Sequence, residues 1–240
     1  MGAGTSATGF IVGRQRRQPP TSRRQDDYIR QFLWRSSRQY RTQHRGYSES
    51  NRQLRCLRRR NGCPATGVLP DRSFVKSGVN LQIGKGVTLL ASPDIHHYPE
   101  FRSRIAGIEM TWPAAVINIV DEKNAAISGE GTLDCRGKVF WDKYWEMRKE
   151  YEARGLRWIV DYDCKRVRGI LVERSSDITL SGFTLMRTGF WGCQILYSDY
   201  CTIDGLTINN NIGGHGPSTD GIDIDSSCNI LIENCDVDCN

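Results

Sequence analysis

The segment Gly213-Gly-His-Gly-Pro-Ser-Thr-Asp-Gly-Ile-Asp-Ile-Asp-Ser-Ser227 places three carboxylates at near-alternate spacing. On a strand, Asp223 and Asp225 project to one face, and Asp220 lies just before them at a turn. Carboxyl groups set across a glycosidic bond can hydrolyse it, one protonating the leaving oxygen while another activates water. An isolated Asp at a turn is more often merely solvated, so this cluster needs support from the rest of the chain. His215, between Gly214 and Gly216, reads as a loop residue that could touch a substrate.

The other candidate chemistry is metal binding, and the spacing argues against it. Cys228, Cys235 and Cys239 lie close together but form no paired C-x-x-C hooks, and no histidine follows them. Cys235 falls in line with Phe183 and Leu206 in a sequence repeat, which favours a buried thiol. No metal and no cofactor are expected.

That repeat defines the scaffold. Ile178-Thr-Leu-Ser-Gly-Phe-Thr-Leu185 matches Cys201-Thr-Ile-Asp-Gly-Leu-Thr-Ile208 and Ile230-Leu-Ile-Glu-Asn-Cys-Asp-Val237, at offsets of 23 and 29 residues. Leu81–Leu89 and Ala125–Leu133 share the same strand, glycine bend, strand form. Alternating apolar positions at this period indicate a solenoid, in which each coil buries its inward side chains against the next. The expected fold is all-β, a right-handed single-stranded parallel β-helix stacked without hairpins. Leucine-rich repeats are excluded by the lack of fixed leucine spacing. Asn209-Asn-Asn211 is expected at a turn in left-handed backbone.

One stretch, Trp141 to Arg157, has no glycine or proline before Gly155 and reads as a short helix on a loop. Its aromatics Trp141, Tyr144 and Trp145, with Trp158, could line a sugar cleft, but packing of the loop onto the coil is the favoured reading.

The net charge of +6 is localised. Residues 1–73 carry sixteen Arg, no Lys and four acidic residues, whereas residues 74–240 carry seventeen Lys and Arg against twenty-three Asp and Glu. The basic head shows neither helical nor strand period. A disordered basic arm is one reading. The favoured one is a frameshift near Ser73, because codons for Arg41 to Phe74 read one nucleotide later can encode a helix, a glycine turn and a strand. The expected division is therefore 1–73 as a non-native or disordered segment and 74–240 as a partial β-helix. The acidic body gives no reason to expect nucleic acid as a partner. No apolar run approaches the roughly 20 residues of a membrane span. Met1-Gly-Ala-Gly4 shows no secretory pattern, leaving the compartment unassigned.

Ser218-Thr-Asp-Gly-Ile-Asp223 resembles the Asn-Thr-Asp-Gly-Ile-Asp signature of glycoside hydrolase family 28, with Ser in place of Asn. Gly129-Glu-Gly-Thr-Leu-Asp-Cys-Arg-Gly137 followed by Trp141 resembles its Gly-x-Gly-x-x-Asp-Gly-x-Gly-aromatic stretch, with Cys135 replacing a glycine. Ser176–Leu185 and Phe190-Trp191 match its middle region, and the likeness runs from Val75 to Asn240. The resemblance implies inverting hydrolysis of a pectin-type polysaccharide by a monomer, secreted or periplasmic, with Asp220 as a water-activating carboxylate. His215 and Trp191 are candidate substrate contacts. His215 precedes Asp220, whereas the family's Gly-His-Gly follows it. The resemblance also places the general acid, in an Asp-Asp pair, after a segment like Asn234–Asn240, so these 240 residues alone are expected to be inactive. A β-helix lyase and a non-catalytic glycan-binding or surface protein are the alternatives.

Overall fold

The structure is a computed structural model, and it describes residues 65–69 and 73–240. They belong to one compact unit, Gly46–Asn240. The expectations for the basic head lie outside the described residues, apart from its last stretch. There, strand β1 (Ala65–Val68) pairs in parallel with β4 (Val87–Leu90), so the stack reaches back across the expected boundary at residue 73.

The architecture is a right-handed parallel β-helix built from three sheets. Each full coil contributes one strand to each sheet. The first coil is β2 (Ser73–Phe74), β3 (Asn80–Ile83) and β4, and the next is β7 (Ile117–Val120), β8 (Lys123–Gly129) and β9 (Thr132–Asp134). The third is β10 (Ile170–Glu173), β11 (Ser176–Ser181) and β12 (Thr184–Met186). The last two are β13 (Cys193–Leu196), β14 (Asp199–Asp204) and β15 (Thr207–Asn209), then β16 (Ile222–Asp225), β17 (Cys228–Glu233) and β18 (Asp236–Asp238). We call the sheet of β1, β4, β9, β12, β15 and β18 sheet A, that of β2, β7, β10, β13 and β16 sheet B, and that of β3, β8, β11, β14 and β17 sheet C.

The repeat register is the stacking register: Ile178 pairs with Cys201 and Cys201 with Ile230. Only the first coil departs, because Leu81 sits beside Ile127 and not Ala125. Two extra residues in its glycine bend absorb the shift, and Leu89 then pairs with Leu133. A shift of two keeps every side chain on its own face. Inward ladders such as Leu81, Ile127, Leu180, Ile203 and Ile232 run along the axis, and the first four of these are buried. Each fully buried aliphatic side chain contributes ~1.5–3 kcal/mol.

Non-glycine residues take left-handed backbone at stacked corners. Asp121, Arg174, Tyr197 and Ser226 follow the ends of the sheet-B strands with φ of 58°, 47°, 50° and 51°. The asparagine run is not such a corner. Asn211 has φ −94°, and neither Asn209 nor Asn210 is left-handed. Asn210 is instead buried, its side chain accepting from the Thr188 N–H at 3.2 Å and donating to the Thr219 carbonyl at 3.2 Å.

Two insertions interrupt the coils, both between sheet A and sheet B. One is a hairpin, β5 (Glu100–Ile105) and β6 (Ile108–Pro113), contrary to the expectation of a stack without hairpins. It turns through Ala106 and Gly107, both with positive φ. The other carries α1 (Lys138–Ala153) and the short α2 (Val160–Asp163). The helix starts three residues before the expected Trp141 and ends before Gly155, which takes φ +72°. Trp141 and Tyr144 pack inward as expected, the Trp141 indole donating to the Thr188 carbonyl at 2.7 Å. Trp158 does not pack and is 69% exposed. No helix among the described residues is long and apolar enough to cross a membrane.

Candidate active site

Sheet B is the face that the insertions cover. Its outward side chains form two ladders, Asn118, Leu171, Gln194 and Asp223, then Val120, Glu173, Leu196 and Asp225. A bare outer face would leave these solvated. Here the β5–β6 hairpin lies over them, and Asn118, Glu173 and Gln194 are buried.

Buried polar groups need partners. Ser103 donates to Glu173 at 3.0 Å, and Gln194 donates to the Arg104 carbonyl at 3.0 Å. Arg168, fully buried, donates to Gln194, to Ser103 at 3.2 Å and to the Pro113 carbonyl at 3.3 Å. Arg104 pairs with Asp225 at 3.2 Å. Burial pulls the Arg168 guanidinium down to about 10, against the pull of Glu173 and Asp223. Burial also raises Glu173, opposed by Arg174, the Ser103 hydrogen bond and Arg168.

Asp220 stands where sheet B begins its last coil. Its carbonyl accepts from the Gly192 N–H at 2.6 Å. Gly192 must be glycine, because a Cβ there would lie 2.4 Å from the Gly221 carbonyl oxygen and 3.0 Å from that of Asp220. The preceding turn is held by Thr219 Oγ1 donating to the Gly216 carbonyl at 2.9 Å and by Asn210. Ser218, in left-handed backbone, donates to Asp161 Oδ1 at 2.8 Å. Burial pushes the Asp220 carboxyl up and Asp161 adds to this, while its own backbone N–H, Arg166 and the Trp191 indole favour the charged form.

Asp223 is pushed up to about 7, first by burial, then by Asp220 and more weakly by Asp225, with Arg168 opposing. Its Oδ2 is buried without a hydrogen-bond partner among the described residues. The two carboxyls therefore divide roles. Asp223 keeps its proton up to near-neutral pH, and a neutral Asp223 relieves the repulsion that would otherwise discourage ionisation of Asp220. An ionised Asp220 can then act as a base.

The structure brings Trp191 to Asp220. Its half-buried ring stacks on Phe190 with centroids 4.7 Å apart and an interplanar angle of 16°. His215 is exposed, and its carbonyl accepts from the Trp145 indole at 2.9 Å. It lines a separate open groove of about 590 Å³ with Trp145, Arg148, Lys149 and Glu152. Asp161, Arg166 and Arg168 escaped the sequence reading. A signal for the two arginines was available in Arg166-Val-Arg168, set one glycine before the apolar run of β10, whereas Asp161 had none.

A sequence profile of glycosyl hydrolases family 28 matches residues 63–240. The chain belongs to this family. It is 29% identical over 184 residues to a probable polygalacturonase of Vitis vinifera, covering 72% of this chain and 33% of the relative. It is 27% identical over 160 residues to an exopolygalacturonase of Zea mays, covering 66% of this chain and 32% of the relative. The chain thus spans about a third of the length of these curated relatives. Among solved structures, the polygalacturonase from Erwinia carotovora ssp. carotovora superposes with TM-score 0.56 at 26% identity, over 71% of this chain and 45% of that one. An exopolygalacturonase from Thermotoga maritima shares the fold with TM-score 0.51 at 21% identity, over 80% of this chain and 46% of that one.

Proposed function

We propose that these coils belong to a glycoside hydrolase that cleaves galacturonan or a related pectin-type polysaccharide with inversion, and that Asp220 is a water-activating carboxylate. The observation that carries the reading is the placement of Asp220. It is half-buried at the head of sheet B, hydrogen-bonded by Trp191, with Arg166 favouring its charge and the proton-bearing Asp223 beside it. That is the environment in which a carboxylate can hold a water against a sugar carbon without being neutralised.

In this reading Trp191 offers a ring edge to the bound sugar while its indole N–H stays on Asp220, and His215 contacts the chain further along. The acid that protonates the leaving oxygen is supplied by the Asp pair that the family resemblance places after Asn240, across an acid–base gap of roughly 6.5–9.5 Å. The test is the stereochemistry of the first product formed from oligogalacturonate by the protein carrying that pair. Proton NMR should show the inverted anomer at the new reducing end. Retained configuration would refute inversion, and unsaturated products absorbing in the ultraviolet would replace hydrolysis with elimination.

A further inference from the structure

The helical insertion is tied to the Asp220 turn through one buried cation. Arg166 is fully buried, with its guanidinium between two aromatic faces, 4.3 Å from the Tyr144 ring centroid and 4.4 Å from that of Phe190. Its Nη1 donates to the Pro217 carbonyl at 2.6 Å and its Nη2 to Asp161 Oδ1 at 2.7 Å. Asp161 sits on α2, and the same oxygen accepts from Ser218. The hairpin joins this assembly from the other side, the Trp112 indole donating to the Arg166 carbonyl at 2.9 Å. Arginine suits this place because a planar guanidinium can stack on both rings while its fork bonds two acceptors, which an ammonium cannot do.

We propose that Arg166 and Asp161 are positioning residues, a strut from the helical insertion that fixes the Pro217–Thr219 turn and with it the placement of the Asp220 carboxyl. The inference rests on the reading of Asp220 as the water-activating carboxylate. The groups facing that carboxyl are Arg166, which favours its charge, Asp161 and Asp223, which oppose it, and the Trp191 indole, which favours it. A strut with one cation and one carboxylate therefore adjusts Asp220 from both sides. Full burial of the Arg166 guanidinium without such a task would be a costly way to attach a loop.

The test uses the 240-residue chain, with aspartate labelled at the carboxyl carbon and Asp220 assigned by its loss in Asp220→Asn. In Arg166→Met, removal of the opposite charge should raise the Asp220 titration midpoint by about one pH unit. Arg166→Lys should restore part of that shift. Asp161→Asn should lower the midpoint by removing the like charge, and Asp161→Ala, which leaves Ser218 without its acceptor, should also speed exchange of the Gly192 amide, which bonds the Asp220 carbonyl, by about tenfold. An attachment without electrostatic purpose would leave the Asp220 midpoint unmoved in every folded variant, which overturns the proposal. Should Arg166→Met fail to fold, Asp161→Asn decides, because it keeps the buried guanidinium. Failure of the catalytic reading would show differently, as full turnover of Asp220→Asn in the protein carrying the Asp pair, with the titration shifts of the Arg166 and Asp161 variants intact.

Discussion

Sheets B and C are built from the same coils, yet their strands bury differently. In sheet C, β11 and β14 alternate, with Ile178, Leu180, Cys201 and Ile203 inward and Thr179 and Thr202 outward. In sheet B, β10 and β13 are buried at all four positions. The inward residues are equivalent, so the difference lies in what covers the outside. Sheet C meets water. Sheet B meets the hairpin, and its outer ladder becomes a second, polar core that holds Arg168, Glu173 and Gln194 beside Asp223. Sheet C shows what the solenoid needs to stand, and sheet B what has been added to it at the cost of burying charge.

Removing a member of that polar core should hurt most. Arg168→Met leaves the Gln194 side-chain oxygen without its donor and Glu173 without one of the cations that favour its charge, and breaking a buried charged network in this way costs roughly 3–5 kcal/mol. Thr179→Ala on the outer face of sheet C should stay within about 0.5 kcal/mol. Chemical denaturation of the two variants makes the comparison, and equal losses would erase the distinction between the faces.

The pH dependence of stability comes next. The folded state holds the Asp223 proton at pH values where the unfolded chain, with an ordinary carboxyl near 3.8, has released it. Stability should therefore fall as pH rises from about 4 to about 7 and then level off. Asp223 accounts for at most about 4 kcal/mol of that fall. Asp220 and Glu173, raised in the same direction, add to it. Asp223→Asn should flatten the profile of thermal midpoint against pH. A profile unchanged by the substitution would mean that folding does not raise the Asp223 carboxyl.

A smaller effect is expected at Gly192. Gly192→Ala forces a methyl against the backbone of the next coil at Gly221 and Asp220, and overpacking of this kind costs roughly 1–3 kcal/mol. It should also disturb the Asp220 carboxyl signal, whereas Gly205→Ala, at a sheet-C corner where the nearest atom lies 4.0 Å away, should leave that signal alone. The left-handed φ at Gly205 makes its own cost one of backbone strain.

What was legible in the sequence divides along the same two faces. The repeat that pairs Ile178 with Cys201 and Ile230 could be read because inward side chains recur with each coil. The helix in the 135–169 insertion could be read because glycine and proline are absent from it. The hairpin could not, since Ala106-Gly107 is a weak turn signal and its strands interrupt the repeat. The site was half legible. Asp220 stood in a motif, but Arg166, Arg168 and Asp161 gain their meaning from what packs over them, and no periodicity reports that. The asparagine run misled because Asn210 serves as a buried hydrogen-bond bridge, a role that looks identical to a turn in one dimension.

The central claim is that Asp220, and not Asp225 on the strand that follows it, activates water. Release of reducing sugar from galacturonan by the protein carrying the Asp pair placed after Asn240, as Asp220→Asn and as Asp225→Asn, tests it most directly. Loss of a positioned base is worth ~10²–10⁴-fold, so Asp220→Asn should fall by that much with its fold and substrate affinity retained. Asp225→Asn releases Arg104 but should lose less than about tenfold. Equal losses in the two folded variants, or full turnover in Asp220→Asn, would contradict the account.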